Sequence, residues 1–188
     1  EEEQREQTKK RNKLLYQSEH DELTGLYNKR SLNRYLEDVF EACKLNEKEL
    51  GILFLDIDYF KQLNDRYGHG KGDEGICAVA DTLKKIFPED YVARYGGDEF
   101  LVVMTGRDLT YVMEHAESLC AGIREYKIPN EDSELEPWLT ISVGGVCAIP
   151  KEPNRVWDFL SAADKTLYDQ KNEQKGKVRF YVGEGQYL

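Results

Sequence analysis

Three short stretches of this chain carry side chains that could do chemistry. In Arg94-Tyr-Gly-Gly-Asp-Glu-Phe100, two glycines precede two adjacent carboxylates. Glycine tolerates positive φ, so the segment reads as a hairpin turn with Asp98 and Glu99 just past it. Alone, such a turn is more often a solvated loop. In Leu55-Asp-Ile-Asp-Tyr-Phe-Lys61, an apolar run ends in alternating acids. Strand side chains repeat every two residues, which sets Asp56 and Asp58 on one face at the rim of a sheet. Asp56 follows the apolar residues Ile52–Leu55, so it is expected to be partly buried and to need a cation or strong donors. The plainer alternative, that the acids cap the next helix, suits Asp58 better than Asp56. In Asn64-Asp-Arg-Tyr-Gly-His-Gly-Lys-Gly-Asp73, amide and carboxylate groups sit among three glycines. These could read a base by paired hydrogen bonds, or they are loop punctuation with Asp73 as an N-cap. His69 has no Cys or His partner in sequence, so it reads as a hydrogen-bonding residue and not as a metal ligand.

Taken together, carboxylates at the ends of neighbouring strands suit a divalent cation and a nucleoside triphosphate. There is no Gly-x-x-x-x-Gly-Lys loop and no Gly-x-Gly-x-x-Gly after a strand, which disfavours the common nucleotide folds.

The elements that must hold these residues follow from periodicity. A polar helical stub covers Glu1–Gln17, with its first ten residues open between helix and frayed terminus. Asn28 or Ser31 caps a helix running to about Leu45, with Leu32, Tyr35, Leu36, Val39 and Phe40 at helical spacing. Gly51–Ile57 reads as a buried central strand. A short helix Tyr59–Tyr67, a glycine-rich turn Gly68–Gly72 and a helix from Asp73 to about Phe87 follow, ended by Pro88. Tyr91–Tyr95 and Phe100–Met104 form a hairpin, then comes a helix at about Leu109–Tyr126. Pro129–Pro137 is an acidic surface loop. Leu139–Ile149 is a strand, Val156–Asn172 a helix and Val178–Tyr181 a last strand. A hairpin among helices argues for an α+β layer fold.

The 188 residues suit one domain with an appendage, and 40% hydrophobic residues with 7 Phe and 12 Tyr exclude wholesale disorder. With 26 Lys plus Arg against 36 Asp plus Glu, the formal charge is −10. That argues against nucleic-acid backbone or an anionic membrane as partner. No apolar run approaches the ~20 residues of a membrane helix, and no signal peptide is visible. Cys43, Cys77, Cys120 and Cys147 are far apart, which reads as thiols in a reducing compartment, by default the cytoplasm. Glu1 in place of Met suggests a piece of a longer protein, with any membrane anchor lying upstream.

Gly96-Gly97-Asp98-Glu99-Phe100 matches letter for letter the signature of the GGDEF diguanylate cyclases, and the chain resembles that family along its length. The match extends to Asp21-x-Leu-Thr-Gly-Leu-x-Asn28, Leu55-Asp-Ile-Asp-x-Phe-Lys61, Asn64-Asp-x-Tyr-Gly-His69 and Gly72-Asp73. It continues through Leu139-Thr-Ile-Ser-Val-Gly144 and Ala162-Ala-Asp-x-x-Leu-Tyr168. The resemblance implies a ferredoxin-like, nucleotide-cyclase-like palm with a mainly antiparallel sheet over 21–183. Residues 1–20 would then be a linker helix from an upstream sensor, and 184–188 a C-terminal tail. It implies condensation of two GTP into cyclic di-GMP plus two pyrophosphates, by a homodimer, with Mg²⁺ or alternatively Mn²⁺. The rival expectation is a non-catalytic module that responds to GTP or cyclic di-GMP.

Carried over by the resemblance, Asp56 and Asp98 would bind the metal through carboxylates and Ile57 through its carbonyl, with Glu99 in support. Asp98 would also help deprotonate the attacking 3′-hydroxyl. Asn64 and Asp73 would hydrogen-bond guanine. The backbone around Tyr59, Phe60 and Lys61, with Lys171 and Lys175, would hold phosphates. Both lysines could instead simply complement a helix end. The chain departs from the family pattern at Phe87-Pro-Glu-Asp90, where many members carry an Arg-x-x-Asp product-inhibition motif. Asp90 is kept and the arginine is Phe87, which cannot make bidentate phosphate contacts. Lys175 also stands where many members have Arg, Lys29 replaces a frequent Arg and Tyr59 a frequent His.

Overall fold

The computed structural model of the chain describes residues 2–183 and 186–187. Their elements are helices α1 (Glu2–Glu19), α2 (Lys29–Leu45), α3 (Phe60–Tyr67), α4 (His69–Ile86), α5 (Leu109–Glu125) and α6 (Val156–Glu173). The strands are β1 (Tyr27–Asn28), β2 (Leu50–Ile57), β3 (Tyr91–Arg94), β4 (Glu99–Thr105), β5 (Ile141–Ala148), β6 (Val178–Gly183) and β7 (Gln186–Tyr187). They form one sheet in the order β1-β3-β4-β2-β5-β6-β7. The pairings β1·β3 and β5·β6 are parallel and the remaining four antiparallel. The fold is therefore the α+β, mainly antiparallel palm that the sequence leads one to expect.

β2 is central and is buried on both faces. Leu53, Leu55 and Ile57 pack with Ile76, Val79 and Leu83 of α4 and with Val112, Leu119 and Ile123 of α5. Leu50, Ile52 and Phe54 pack instead with Leu32, Leu36 and Phe40 of α2 and with Phe159, Leu160, Ala163 and Leu167 of α6. This two-sided cover explains why the strand shows no polar alternation until its end.

Two glycines on β5 set how closely its neighbours approach. A Cβ on Gly144 would lie 2.5 Å from the Ala163 carbonyl oxygen and 2.7 Å from Leu167 Cα, so the α6 backbone rests directly on the sheet. A Cβ on Gly145 would strike the Phe180 ring on the other face.

Side chains of the next segment cap α1. Asn28 Nδ2 donates to the Ser18 carbonyl at 2.9 Å and Ser31 Oγ to the Glu19 carbonyl at 2.9 Å. Asn28 Oδ1 meanwhile accepts from Ser31 N at 3.0 Å and caps α2. Five rings stack in sequence beside this junction. Centroid separations are 4.0 Å for Tyr16–His20, 4.6 Å for His20–Tyr27, 4.1 Å for Tyr27–Tyr91 and 3.9 Å for Tyr91–Tyr35. α1 otherwise buries no residue, and Leu14, Leu15 and Tyr16 are exposed along it.

Several expectations are corrected. α4 begins at His69, not Asp73, because Gly68 at φ 86° takes the N-cap conformation. Asp73 therefore lies inside the helix and caps nothing. The segment Tyr27–Asn28 is a short strand paired with β3, and Gln186–Tyr187 pairs with β6, so 184–188 is not wholly a tail. Glu184, Gly185 and Leu188 of that expectation, and Glu1 of the linker, lie outside the described residues. β5 is shorter than Leu139–Ile149 at both ends. The 129–137 loop is not all surface, since Asn130 is fully buried. Cys43 and Cys120 are buried, and Cys77 and Cys147 half-buried.

Gly144→Ala is expected to lower stability by about 3 kcal/mol or to prevent folding, because rigid helix backbone has to move. Gly97→Ala, with nothing within 4 Å of its Cβ, is expected to stay within about 0.5 kcal/mol. Urea denaturation of both variants checks the contrast.

Candidate active site

The alternation of β2 carries Asp56 onto the face covered by α6, the same face as Ile52 and Phe54. On β4, Glu99 lies directly opposite Asp56 in the register and on the same face as Leu101 and Val103. Two carboxylates are thus set side by side by strand pairing alone. Leu167 sits against Gly144, and one helical turn later Lys171 reaches over the sheet end. Its Nζ stands 2.8 Å from Asp56 Oδ1.

Burial is the largest influence on Asp56 and pushes its carboxyl up to about 6, with Asp98 and Glu99 adding to the rise and Lys171 opposing it. Glu99 is raised for the same reason, burial first, then Asp98 and Asp164, with Lys171 and Lys29 opposing. The field is one of crowded negative charge that favours a cation. A cleft of about 430 Å³ opens here, lined by Asp56, Glu99, Asp164, Lys171, Asn172 and Lys175 among others. Roomier hollows of about 680 Å³ lie at the α2 C-terminus and between β5 and α6. Neither of them includes the opposed carboxylates.

The hairpin turn owes its shape to something other than positive φ. Neither Gly96 nor Gly97 adopts the left-handed region. Gly96 matters for space, because a Cβ there would stand 2.7 Å from Glu99 Oε2. The turn is held from outside by Arg94. Its Nε donates to the Gly96 carbonyl at 3.1 Å and its NH2 to that of Gly97 at 2.7 Å. Its NH1 contacts both oxygens of Asp21, at 3.1 and 3.2 Å. Ile57 N, at the end of β2, donates to the Asp98 carbonyl at 3.2 Å and ties the turn to the strand.

Asp58 is not a cap, and it keeps to the side of Asp56, bonded to Ser142, the residue opposite Asp56 on β5. It is fully buried, accepting from Ser142 Oγ at 2.7 Å and Thr140 Oγ1 at 2.9 Å. Burial still pushes its carboxyl up against those bonds. The N-cap of α3 is Tyr59, in the left-handed region at φ 52° and without a side-chain cap bond. Asn130 Nδ2 lies 3.4 Å from the Tyr59 carbonyl and 3.5 Å from that of Asp58, bracing this turn from below. Lys175 Nζ sits 4.3 Å from the Tyr59 ring centroid, and Tyr59 OH donates to Glu134 at 3.2 Å. Tyr59, Lys171 and Lys175 are therefore brought to one side of the carboxylates. Phe60 is half-buried, and Lys61 is exposed at the start of α3.

Asn64 and Asp73 lie where α3 meets α4. Asn64 Oδ1 is buried without a hydrogen-bond partner, and a Cβ on Gly72 would overlap it. Asp73 follows Gly72 and is exposed, as is His69. A buried acceptor lacking a donor is costly unless a ligand supplies one.

A family model described as "Diguanylate cyclase, GGDEF domain" matches residues 18–177. The chain belongs to the GGDEF family. "Probable diguanylate cyclase DgcC" of Escherichia coli K12 is 30% identical over 168 residues, covering 88% of this chain and 44% of that protein. An uncharacterized membrane protein of Staphylococcus saprophyticus is 32% identical over 163 residues, covering 85% and 45%. This GGDEF domain thus spans less than half the length of these curated relatives. The coiled coil and GGDEF domain of DgcB from Caulobacter crescentus, in complex with c-di-GMP, superimposes with a TM-score of 0.86. It is 23% identical over 95% of this chain and 94% of that one, and shows the fold. Diguanylate cyclase SiaD of Pseudomonas aeruginosa, in complex with its activator SiaC, is 27% identical with a TM-score of 0.76, covering 95% and 69%. Among the described residues no helix is long and apolar enough to cross a membrane.

Sequence reasoning on this GGDEF domain missed the parts that hold the site in place. Asp21, Arg94 and Asn130 touch no proposed ligand, so spacing gave them no chemical reading. The signal for Thr140 and Ser142 was their period of two in an apolar strand, which points both toward one face.

Burial would raise the Asp21 carboxyl, but the hydrogen bonds from Thr24 and the Arg94 guanidinium outweigh it and hold it below its ordinary 3.8. A depressed folded value means the stability it adds is present above the unfolded value and lost as pH falls through the folded one. Asp21→Asn is expected to be less stable by about 1–2 kcal/mol at pH 7. The gap from wild type should close as pH is taken below 4, as read from urea midpoints.

Proposed function

We propose that this domain condenses two GTP molecules into cyclic di-GMP, releasing two pyrophosphates. The observation that carries the reading is the opposed Asp56–Glu99 pair beside Asp98, at the mouth of a cleft bearing Lys171 and Lys175. The donor set is all hard oxygen, which fits Mg²⁺ or Mn²⁺. Asp56, Asp98 and the Ile57 carbonyl would hold the ion, with Glu99 in support. When bound, it would neutralise the triphosphate and stabilise charge at the reacting phosphorus.

The chain's own groups supply the positioning. Asn64 Oδ1, buried and without a partner, is an acceptor suited to a guanine N–H. Asp73 can accept from N1–H and the 2-amino group together, a pattern adenine does not offer. Lys171, Lys175 and the turn at Tyr59–Lys61 meet the phosphates. The 3′-oxygen of one GTP, its proton drawn by Asp98, must line up with the α-phosphate of another. One domain presents one such half-site, so the reaction needs two domains face to face in a symmetric homodimer. α1 then serves as the linker from an upstream sensor.

Incubation with GTP and Mg²⁺ is expected to yield cyclic di-GMP, with specific activity rising with protein concentration. Asp98→Ala is expected to lower the rate by about 10²-fold or more. An unchanged rate in that variant, or no product at high protein concentration, overturns the reading.

The Arg-x-x-Asp position belongs to the core here. Phe87 is 2% exposed and its ring lies 5.9 Å from that of His115. Added cyclic di-GMP is therefore expected to leave the rate unchanged at micromolar concentration. Micromolar inhibition removed by Asp90→Ala would contradict this.

A further inference from the structure

The Lys171 ammonium and a divalent cation would compete for the same oxygen. Lys171 Nζ stands 2.8 Å from Asp56 Oδ1, and the two side chains are only 28% and 14% exposed. The ammonium holds the carboxylate directly, and both its charge and its hydrogen bonding oppose the upward push of burial on Asp56. A lysine ammonium is a compact point charge on a flexible stem, so it can be redirected to another anion within reach. Two cations in contact with Oδ1 would repel each other, so each would weaken the other's hold on the oxygen. Lys171 also lines the cleft with Lys175, so its long stem has room to swing toward a phosphate.

We propose that Lys171 is an exchangeable counterion on Asp56, a positioning residue that occupies the cation's place until phosphate draws it off. The inference rests on the reading of Asp56 as a metal ligand and deepens it. Lys171 neutralises part of the buried negative charge while the cleft holds no nucleotide. An arriving triphosphate offers the ammonium several oxygens, which frees Asp56 for the cation. Nucleotide and cation therefore bind with positive coupling through one side chain, in addition to any direct contact between them.

The test uses Mn²⁺ alone, titrated into the nucleotide-free protein and followed by the electron paramagnetic resonance of the free ion. Lys171→Met is expected to tighten Mn²⁺ binding by about tenfold, as removal of a contacting like charge predicts. Lys171→Gln should do the same. Lys175→Met, which removes an equal charge that sits over the Tyr59 ring, should change it by less than about twofold. The inference is overturned if Lys171→Met leaves Mn²⁺ affinity unchanged or weaker, or if Lys175→Met tightens it as much. A parallel titration with a non-hydrolysable GTP analogue separates the two levels. If Asp56→Asn leaves Mn²⁺ binding intact there, the metal-site reading fails together with the inference. If Asp56→Asn abolishes it while Lys171→Met alters nothing, the inference alone fails.

Discussion

Contact between the α6 backbone and the sheet at Gly144 is the constraint on which the site depends. A side chain at that position would hold the helix away from β5 by the width of a methyl group. Lys171 lies one turn beyond Leu167, so its reach over Asp56 follows from how deeply α6 is seated. The register of β2 against β4 does the complementary work. It sets Asp56 and Glu99 opposite each other without needing either side chain to be attracted there. Packing of apolar side chains on both faces of β2 fixes that register, because a one-residue slip of β2 would turn Asp56 to the other face and away from Glu99.

The outcome is an electrostatic arrangement that folding alone would not favour. Burying Asp56 beside Asp98 and Glu99 is unfavourable in itself, as the upward displacement of Asp56 and Glu99 records. Such a cluster persists because the hydrophobic layers on either side over-determine the positions of the strands. It also explains how an acidic chain can be suited to a highly anionic ligand. The net charge is a property of the whole surface, while recognition depends on a few groups in one cleft.

Much of this was legible from residue order. β2 showed as an uninterrupted apolar run, α2 as an apolar stripe at helical spacing, and the β3–β4 hairpin as paired glycines between strands. Where the reading failed, the reason is local competition. Three glycines between Gly68 and Gly72 imply a loop by propensity. Packing of α4 on the core carries the helix through all but the first of them. Gly96 reads as a conformational necessity, but its φ lies outside the left-handed region, and a Cβ there would meet the end of the Glu99 side chain. Arg94 and Asp21 are 73 residues apart, and no period or motif rule links positions so distant. The β1 and β7 strands are two residues each, too short for any periodicity to register.

The junction between α1 and the rest of the molecule has a mechanical character. The last carbonyls of α1 are bonded by side chains that also open α2, so the two helices share their hydrogen-bonding ends. The stacked rings of Tyr16, His20, Tyr27, Tyr91 and Tyr35 run from α1 through β1 and β3 to α2. A torque applied to α1 about its own axis cannot be absorbed at this joint without unstacking rings or stripping a helix end of its donors. The joint is keyed like a splined shaft: turning α1 would disturb the ring stack and the shared helix ends together, and both lead to the edge of the sheet.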